Sequence, residues 1–365
     1  MKTNDYIDII DSSEEFLNSL KKNEKFKFLP CLSGLNENGR NLELGFTTFA
    51  LKILKMTNKL DKNTTNLSLW AEYINSFQTD KLNNIPNNFY VDPAMTNSYN
   101  NYSVSDSLKD NIKKLLNNFG KKYDTHEIKF IKSVNAETKQ AVATLIEIGY
   151  QNKQKLEINL NDEDLNKLLN GLNWDKPWSA GGQFSTYCVY TSTQNLKFED
   201  TLFNFVSKIA NKETGSYYFN HPSSNREIIN GAMKVISGLS WINKDIHYPN
   251  ELIDFCLKNK PILEGCDVVD YVYVLYMCSQ QTNYKKKEIN SVLMETLFNL
   301  VKLYKKEEKG FSYFLNKSQT HYYGVEISSG EDCADIQSTT LCVWAIIMIL
   351  KNNELINDEY NIIKP

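Results

Sequence analysis

An internal repeat constrains this chain more than any other feature. Thr201-Leu202-Phe203-Asn204-Phe205-Val206 is matched by Thr296-Leu297-Phe298-Asn299-Leu300-Val301. The offset, 95 residues from Thr201 to Thr296, holds without a gap through Gly215/Gly310, Tyr218/Tyr313 and Phe219/Phe314. Each copy reads as a helix, a glycine turn, an aromatic strip and the next helix. Roughly four helices fit in that length, so the unit is a helical hairpin of about 47 residues. A row of such hairpins either stacks open as a solenoid or closes into a ring. The glycine implies a positive φ or a close approach at the turn. The aromatic strip after it is expected to plug one end of the ring.

Apolar residues recur at helical spacing along most of the chain. A short amphipathic helix is expected near Ser12–Lys22, within a possible N-terminal extension over residues 1–40. Helices follow at Leu42–Met56, Asn66–Phe77, Asp106–Phe119, Ala136–Ile148 and Asp162–Leu172. Further ones are expected at Glu199–Ala210, Arg226–Trp241, Pro249–Leu257, Asp267–Ser279, Glu288–Tyr304 and Asp335–Lys351. Residues 80–104 read as a long loop, a place where function often sits. Trp174–Gly182 reads as a punctuated loop feeding the apolar run Gln183–Thr191. Strand signals are few, so the fold class is all-α and the expected architecture is a single α/α toroid over residues 1–365.

Two acidic stretches stand at the starts of apolar helical runs. The first is Glu264-Gly265-Cys266-Asp267-Val268-Val269-Asp270-Tyr271; the second is Glu331-Asp332-Cys333-Ala334-Asp335. In a helix, Asp267, Asp270, Tyr271 and Val274 share one face. Asp267, Asp270 and Asp335 are therefore the candidate acid–base groups, expected within ~10 Å of one another at one end of the ring. Like-charge crowding would raise one pKa and fit it for proton transfer. The plainer reading stays open: carboxylates in a first helical turn cap free N–H groups and complement the helix dipole. Trp174, Trp178, Tyr271, His321 and Tyr322 are the candidate substrate-binding residues, the two tryptophans as a platform for a ring or an isoprenoid. The alternatives are a tryptophan plug closing the ring, and loop histidines, His221 and His321, exposed to water.

The bulk numbers exclude several classes. Net charge is −3, and only Arg40 and Arg226 are arginines, so neither nucleic acid nor an arginine-lined polyphosphate is an expected partner. The seven cysteines are scattered, with no Cys-x-x-Cys pair, and read as buried free thiols. No secretory leader and no run of membrane-spanning length is seen. The expected location is cytoplasmic, and the expected partner a small molecule. No glycine-rich nucleotide loop and no Gly-x-Ser-x-Gly elbow occurs.

Hairpins of this length with Gly-aromatic turns resemble the α/α toroids of terpenoid cyclases and protein prenyltransferase β subunits, over roughly residues 180–350. Glu264-Gly265-Cys266 is similar to the prenyltransferase zinc motif Asp-x-Cys, with Glu for Asp. In Asp335-Ile336-Gln337-Ser338, Ser338 stands where that family has its zinc-binding His, and only the first carboxylate of the cyclase acid motif remains. The resemblance implies an enzyme working on an isoprenoid-like substrate by carboxylate chemistry. Because one of three protein ligands is replaced, no tightly held zinc is expected as cofactor. A glycan-active toroid, lyase or hydrolase, is the alternative, and a non-catalytic binding module the third. A cavity lined by Phe and Leu would favour the isoprenoid; an open groove lined by Trp, Asn and Asp would favour the glycan.

Overall fold

The computed structural model describes the chain except residues 1, 61–63, 81, 83, 102–103, 121–122 and 221. Its helices in chain order are α1 (Thr3–Leu20), α2 (Glu37–Asn41), α3 (Leu44–Met56), α4 (Thr64–Asn75) and α5 (Pro93–Asn100). There follow α6 (Val104–Asn118), α7 (His126–Glu147), α8 (Asp162–Gly171), α9 (Pro177–Thr193) and α10 (Glu199–Ile209). The last five are α11 (Asn225–Trp241), α12 (Pro249–Lys258), α13 (Gly265–Gln281), α14 (Lys286–Leu300) and α15 (Ile336–Asn352). The only sheets among the described residues are three two-stranded hairpins.

Helix contacts close a ring. α3 packs on α7, α7 on α9, α9 on α11, α11 on α13, α13 on α15, and α15 back on α3. These six form the inner layer. The helices between them lie outside: α4 against α3 and α7, α10 against α9, α12 and α14 against α13, and α14 also against α15. The fold is therefore an all-α toroid. α1 packs on α15 and α3, so the first forty residues supply an outer helix. Inner helices are apolar on nearly every side, as burial on both faces demands; α15 buries every residue from Ser338 to Leu350 except Leu341.

All six inner helices run the same way. The first turns of α9, α11 and α13 meet through Trp178, Arg226 and Asp267. The far ends meet too: Ser279 at the end of α13 bonds Asn352 at the end of α15. Residues 353–365 lie across that far end. Asn361 bonds the Lys55 and Met56 carbonyls of α3, Lys364 N donates to Glu147 of α7, and Trp241 of α11 donates to the Pro365 carbonyl.

The repeat glycines act as expected, each by a different means. Gly215 has φ +71°. Gly310 does not; the left-handed residue of its turn is Lys309 (φ 60°), and a Cβ on Gly310 would fall 2.8 Å from Phe16 of α1. Two loop assignments are corrected. In the expected loop 80–104, residues Pro93–Asn100 form α5, capped by Asp92. Trp178–Gly182 lies in the start of α9, with Pro177 in its first turn. Gly181 is a contact glycine: a Cβ there would meet Lys234 Cβ at 3.0 Å and the Gly231 carbonyl at 3.1 Å. Gly231 and Gly238 of α11 likewise abut Pro177 and Ser185, so the two helices pack closely.

Candidate funnel at the N-terminal end of the ring

α11 and α13 form a charge ladder. Arg226, Asn230 and Lys234 lie at i, i+4 and i+8 on one face of α11. Arg226 Nε is 2.9 Å from each Asp267 oxygen, and its Nη2 donates to Glu264 at 2.7 Å. Asn230 Nδ2 donates to Asp267 Oδ1 at 2.7 Å. One turn deeper, Lys234 Nζ stands 3.6 Å from Asp270 Oδ1, and Asp270 Oδ2 is buried without a hydrogen-bond partner among the described residues. Burial raises the Asp270 carboxyl to about 6 against the pull of Lys234, with Asp267 adding to the rise. Asp267 is thus a matched ion, whereas Asp270 is loosely paired.

Tyr313 roofs this ladder. Its carbonyl accepts from Gly265 N at 2.9 Å. Its side chain lies against Cys266, and burial, the Cys266 thiol and both aspartates push the phenol far up, so it stays protonated. It also lines a cavity of about 250 Å³ with Phe49, Gln319, His321, Tyr323 and Gln337. The His321–Glu326 hairpin hangs over this cavity and turns at Tyr323 (φ 43°) and Gly324 (φ 85°). Two successive positive φ angles make the tight turn that suits a two-residue hairpin loop. The left-handed Tyr323 is the strained member. Tyr99 Oη donates to its carbonyl at 3.0 Å, and Tyr323 Oη donates to Gln140 at 3.1 Å.

Lys139 of α7 lies within electrostatic reach of Lys234 and Asp270. Burial first, then the Lys234 and Lys52 ammonium groups, lower Lys139 to about 7; Lys52 of α3 is lowered by burial to about 8. On the α3 side, Glu137 of α7 is buried; its Oε2 accepts from Asp92 N at 3.0 Å. Burial and the nearby Asp92 push it well above the usual carboxylate range. Asp92 in turn caps α3, accepting from Glu43 N at 2.7 Å and Leu44 N at 3.0 Å.

The sequence candidates divide. Asp267 and Asp270 face the ladder together. Tyr271 does not share their surroundings, because its hydroxyl donates to the Cys256 carbonyl of α12 in the outer layer. Asp335 is the N-cap of α15: Oδ1 accepts from Ser338 N at 2.7 Å and Oδ2 from Gln319 N at 3.0 Å. Trp174 is corrected as a platform. It is buried against Phe184 and Phe205, and its indole N–H is used by the Leu169 carbonyl. Trp178 is half-buried at the rim beneath the Arg226 guanidinium, 5.5 Å from the ring centre. His321 is exposed at the cavity edge. Tyr322 is a buried wall, its ring seated on Gly45 and tilted against Phe46 at 5.3 Å. His221 lies outside the described residues. Cys333 lies beside Cys31, apart from the Cys266 cluster, and among the described residues no three His, Cys, Asp or Glu side chains gather as a metal site.

Lys139, Lys234, Tyr323, Gln140 and Arg226 were not singled out from sequence. Lys52, inside Phe46-Thr47-Thr48-Phe49-Ala50-Leu51-Lys52-Ile53-Leu54, and Lys139, before Gln140-Ala141-Val142-Ala143, carried a signal: a lone lysine in a core helix.

No protein-family model matches the chain, and no curated protein matches it. A solved structure of a polysaccharide lyase aligns over 97% of this chain and 98% of its own, at 10% identity and TM-score 0.43. The toroid rests on the helix packing above and not on this likeness. None of these findings supports kinship with terpenoid cyclases or prenyltransferases. No helix among the described residues is long and apolar enough to cross a membrane.

Proposed function

We propose that the chain is an enzyme acting on a carbohydrate, bound in the funnel at the N-terminal end of the ring, with Asp270 as the proton-transferring carboxylate and Tyr313 as its phenolic partner. The observation that carries this reading is the polarity of the funnel. Its wall offers Gln319, Thr320, His321 and Gln337 between tyrosine rings, and behind Tyr313 lies Asp270 with Lys234 3.6 Å away. Amides and hydroxyls between aromatic faces suit a sugar, whose ring stacks while its hydroxyls exchange hydrogen bonds. An isoprenoid chain would strip water from those same groups without replacing it, at roughly 1–3 kcal/mol for each uncompensated polar group. The carbohydrate therefore displaces the isoprenoid as the favoured substrate. A carboxyl that titrates at about 6 exchanges protons readily near neutral pH.

The test is a panel of soluble polysaccharides and prenyl diphosphates, read by calorimetric binding and by chromatography of products. Shortened glycans from the wild type, with binding kept but turnover down about 100-fold or more in Asp270→Asn, are the expected result. Products with an ultraviolet-absorbing unsaturated end would mark elimination; saturated products would mark hydrolysis. Turnover of a prenyl diphosphate with no glycan bound overturns the reading.

A further inference from the structure

We infer that α6 docks flat on an anionic lipid surface, with its apolar face among the acyl chains and its lysines at the head groups. It would do so whatever the funnel binds.

α6 is amphipathic with its sides reversed. Leu108, Ile112, Leu115, Leu116 and, just past its end, Phe119 recur at i, i+4, i+7, i+8 and i+11, one stripe of a helix. In a surface helix such a stripe faces the core. Here all five are exposed, Leu108 by 65% and Phe119 by 76%. Fourteen large apolar side chains are exposed among the described residues, and these five fall between Leu108 and Phe119, so they form a patch and not a scatter. The opposite stripe, Asp110, Lys113 and Asn117 at i, i+3 and i+7, holds the helix to the body. Asp110 Oδ1 accepts from His126 N at 2.7 Å, and Lys113 Nζ donates to the Asp124 carbonyl at 3.2 Å. Asn117 Nδ2 donates to the Tyr123 carbonyl at 2.9 Å, and its Oδ1 accepts from Tyr123 N at 2.8 Å. These bonds turn the polar side inward and leave the apolar side in water.

Charge selects what covers it. Over Ser107–Lys132 the sequence holds seven lysines against three acids, in a chain of net charge −3. Asp110 is turned inward, and Asp124 is paired with Lys132 at 2.8 Å. Lys109 and Lys114 lie to either side of the apolar stripe, and Lys114 is exposed, 3.7 Å from Asp110. A second copy is a poor match, because pairing two such faces sets lysines against lysines. An anionic bilayer gives the stripe an apolar bed and the lysines their counter-charge, with the lysine stems lying along apolar surface. The 15 residues of α6 make about 22 Å of helix, short of the ~30 Å hydrocarbon core, so the helix lies in the plane of the surface. It also stands at the rim of the funnel. Beside the Asp110 bond, His126 Nε2 donates to the Tyr99 carbonyl at 2.8 Å, and Tyr99 Oη donates to the Tyr323 carbonyl at the hairpin turn. A docked chain therefore holds the funnel mouth beside the lipid.

The experiment floats the full chain with vesicles of phosphatidylcholine alone and of equal parts phosphatidylcholine and phosphatidylglycerol, at low and at high salt. Binding to the anionic vesicles should be about tenfold or more tighter than to the neutral ones, and should weaken with added salt. Leu115→Gln with Phe119→Gln should cut that binding about tenfold or more while leaving the melting temperature in place, since both side chains are exposed. Lys109→Glu with Lys114→Glu should lose the preference for the anionic vesicles. No binding to either vesicle, or binding unchanged in the Leu115→Gln, Phe119→Gln variant, overturns the lipid site. A dimer on size exclusion that the same glutamine variant dissociates, with no vesicle bound, overturns it too and gives the face to a second copy of the chain.

Discussion

Replacing Asp335 by alanine separates its role as a cap from any role as an acid. The carboxylate accepts from Ser338 N in the first turn of α15 and from Gln319 N in the wall of the funnel. Losing the first bond removes an N-cap, about 1 kcal/mol. Losing the second leaves a buried N–H without an acceptor, about 1–3 kcal/mol. Together they give roughly 2–4 kcal/mol of lost stability at pH 5. Burial raises the folded carboxyl to about 7, from an ordinary 3.8. Between those values the folded chain holds a proton that the unfolded chain has released. Raising the pH through that window therefore draws the wild type toward unfolding. Alanine removes that penalty along with the cap, so the loss should be smaller at pH 8 than at pH 5. Urea denaturation of both proteins at the two pH values measures it. A larger loss at pH 8 refutes the reasoning, because it would mean that the N–H groups stabilise the ionised carboxylate beyond its burial. A loss under about 0.5 kcal/mol at both pH values refutes the cap.

Gly45→Ala should destabilise despite the ~1 kcal/mol that alanine gains in a helix. The new Cβ falls 2.2 Å from Tyr322 Cζ, and overpacking of that kind costs about 1–3 kcal/mol. Adding Tyr322→Ala should restore the helix gain, and a double-mutant cycle without coupling would disprove the contact. Protein purified without added metal should carry no stoichiometric zinc, since among the described residues no three His, Cys, Asp or Glu side chains gather about Cys266 as a metal site. Elemental analysis checks this, and zinc that disappears in Cys266→Ala would reverse it.

The repeat disclosed the helical hairpins because Gly215 and Gly310 must be small in both copies, even though one needs the left-handed backbone and the other needs room for Phe16. Where sequence reading failed, tertiary contact had overridden local preference. Gly181 and Gly182 looked like a turn, but close approach of α11 demands a glycine inside α9. α7 begins ten residues before the expected Ala136, at His126, and Phe130, Ile131 and Val134 of those added turns pack on the core. The facing of Asp267 and Asp270 was legible from their spacing. Which residues turn toward the axis was not, because helices buried on both sides leave no polar face to mark the lumen. The approach of Lys234 to Asp270 is seen only once the ring is closed.

Ring closure also sets a timetable for the ribosome. The seam between α3 and α15 joins Thr340 to the Phe49 carbonyl, residues 291 positions apart in the chain. At about 5–20 residues per second, α3 waits roughly 15–60 s after its own synthesis before its partner emerges. Through that interval the flank of α3 bearing Phe49 and Ile53 is uncovered, long after α7 has protected the other side. The seam is where a nascent chain would recruit a chaperone, and where two unfinished chains would exchange their last helices.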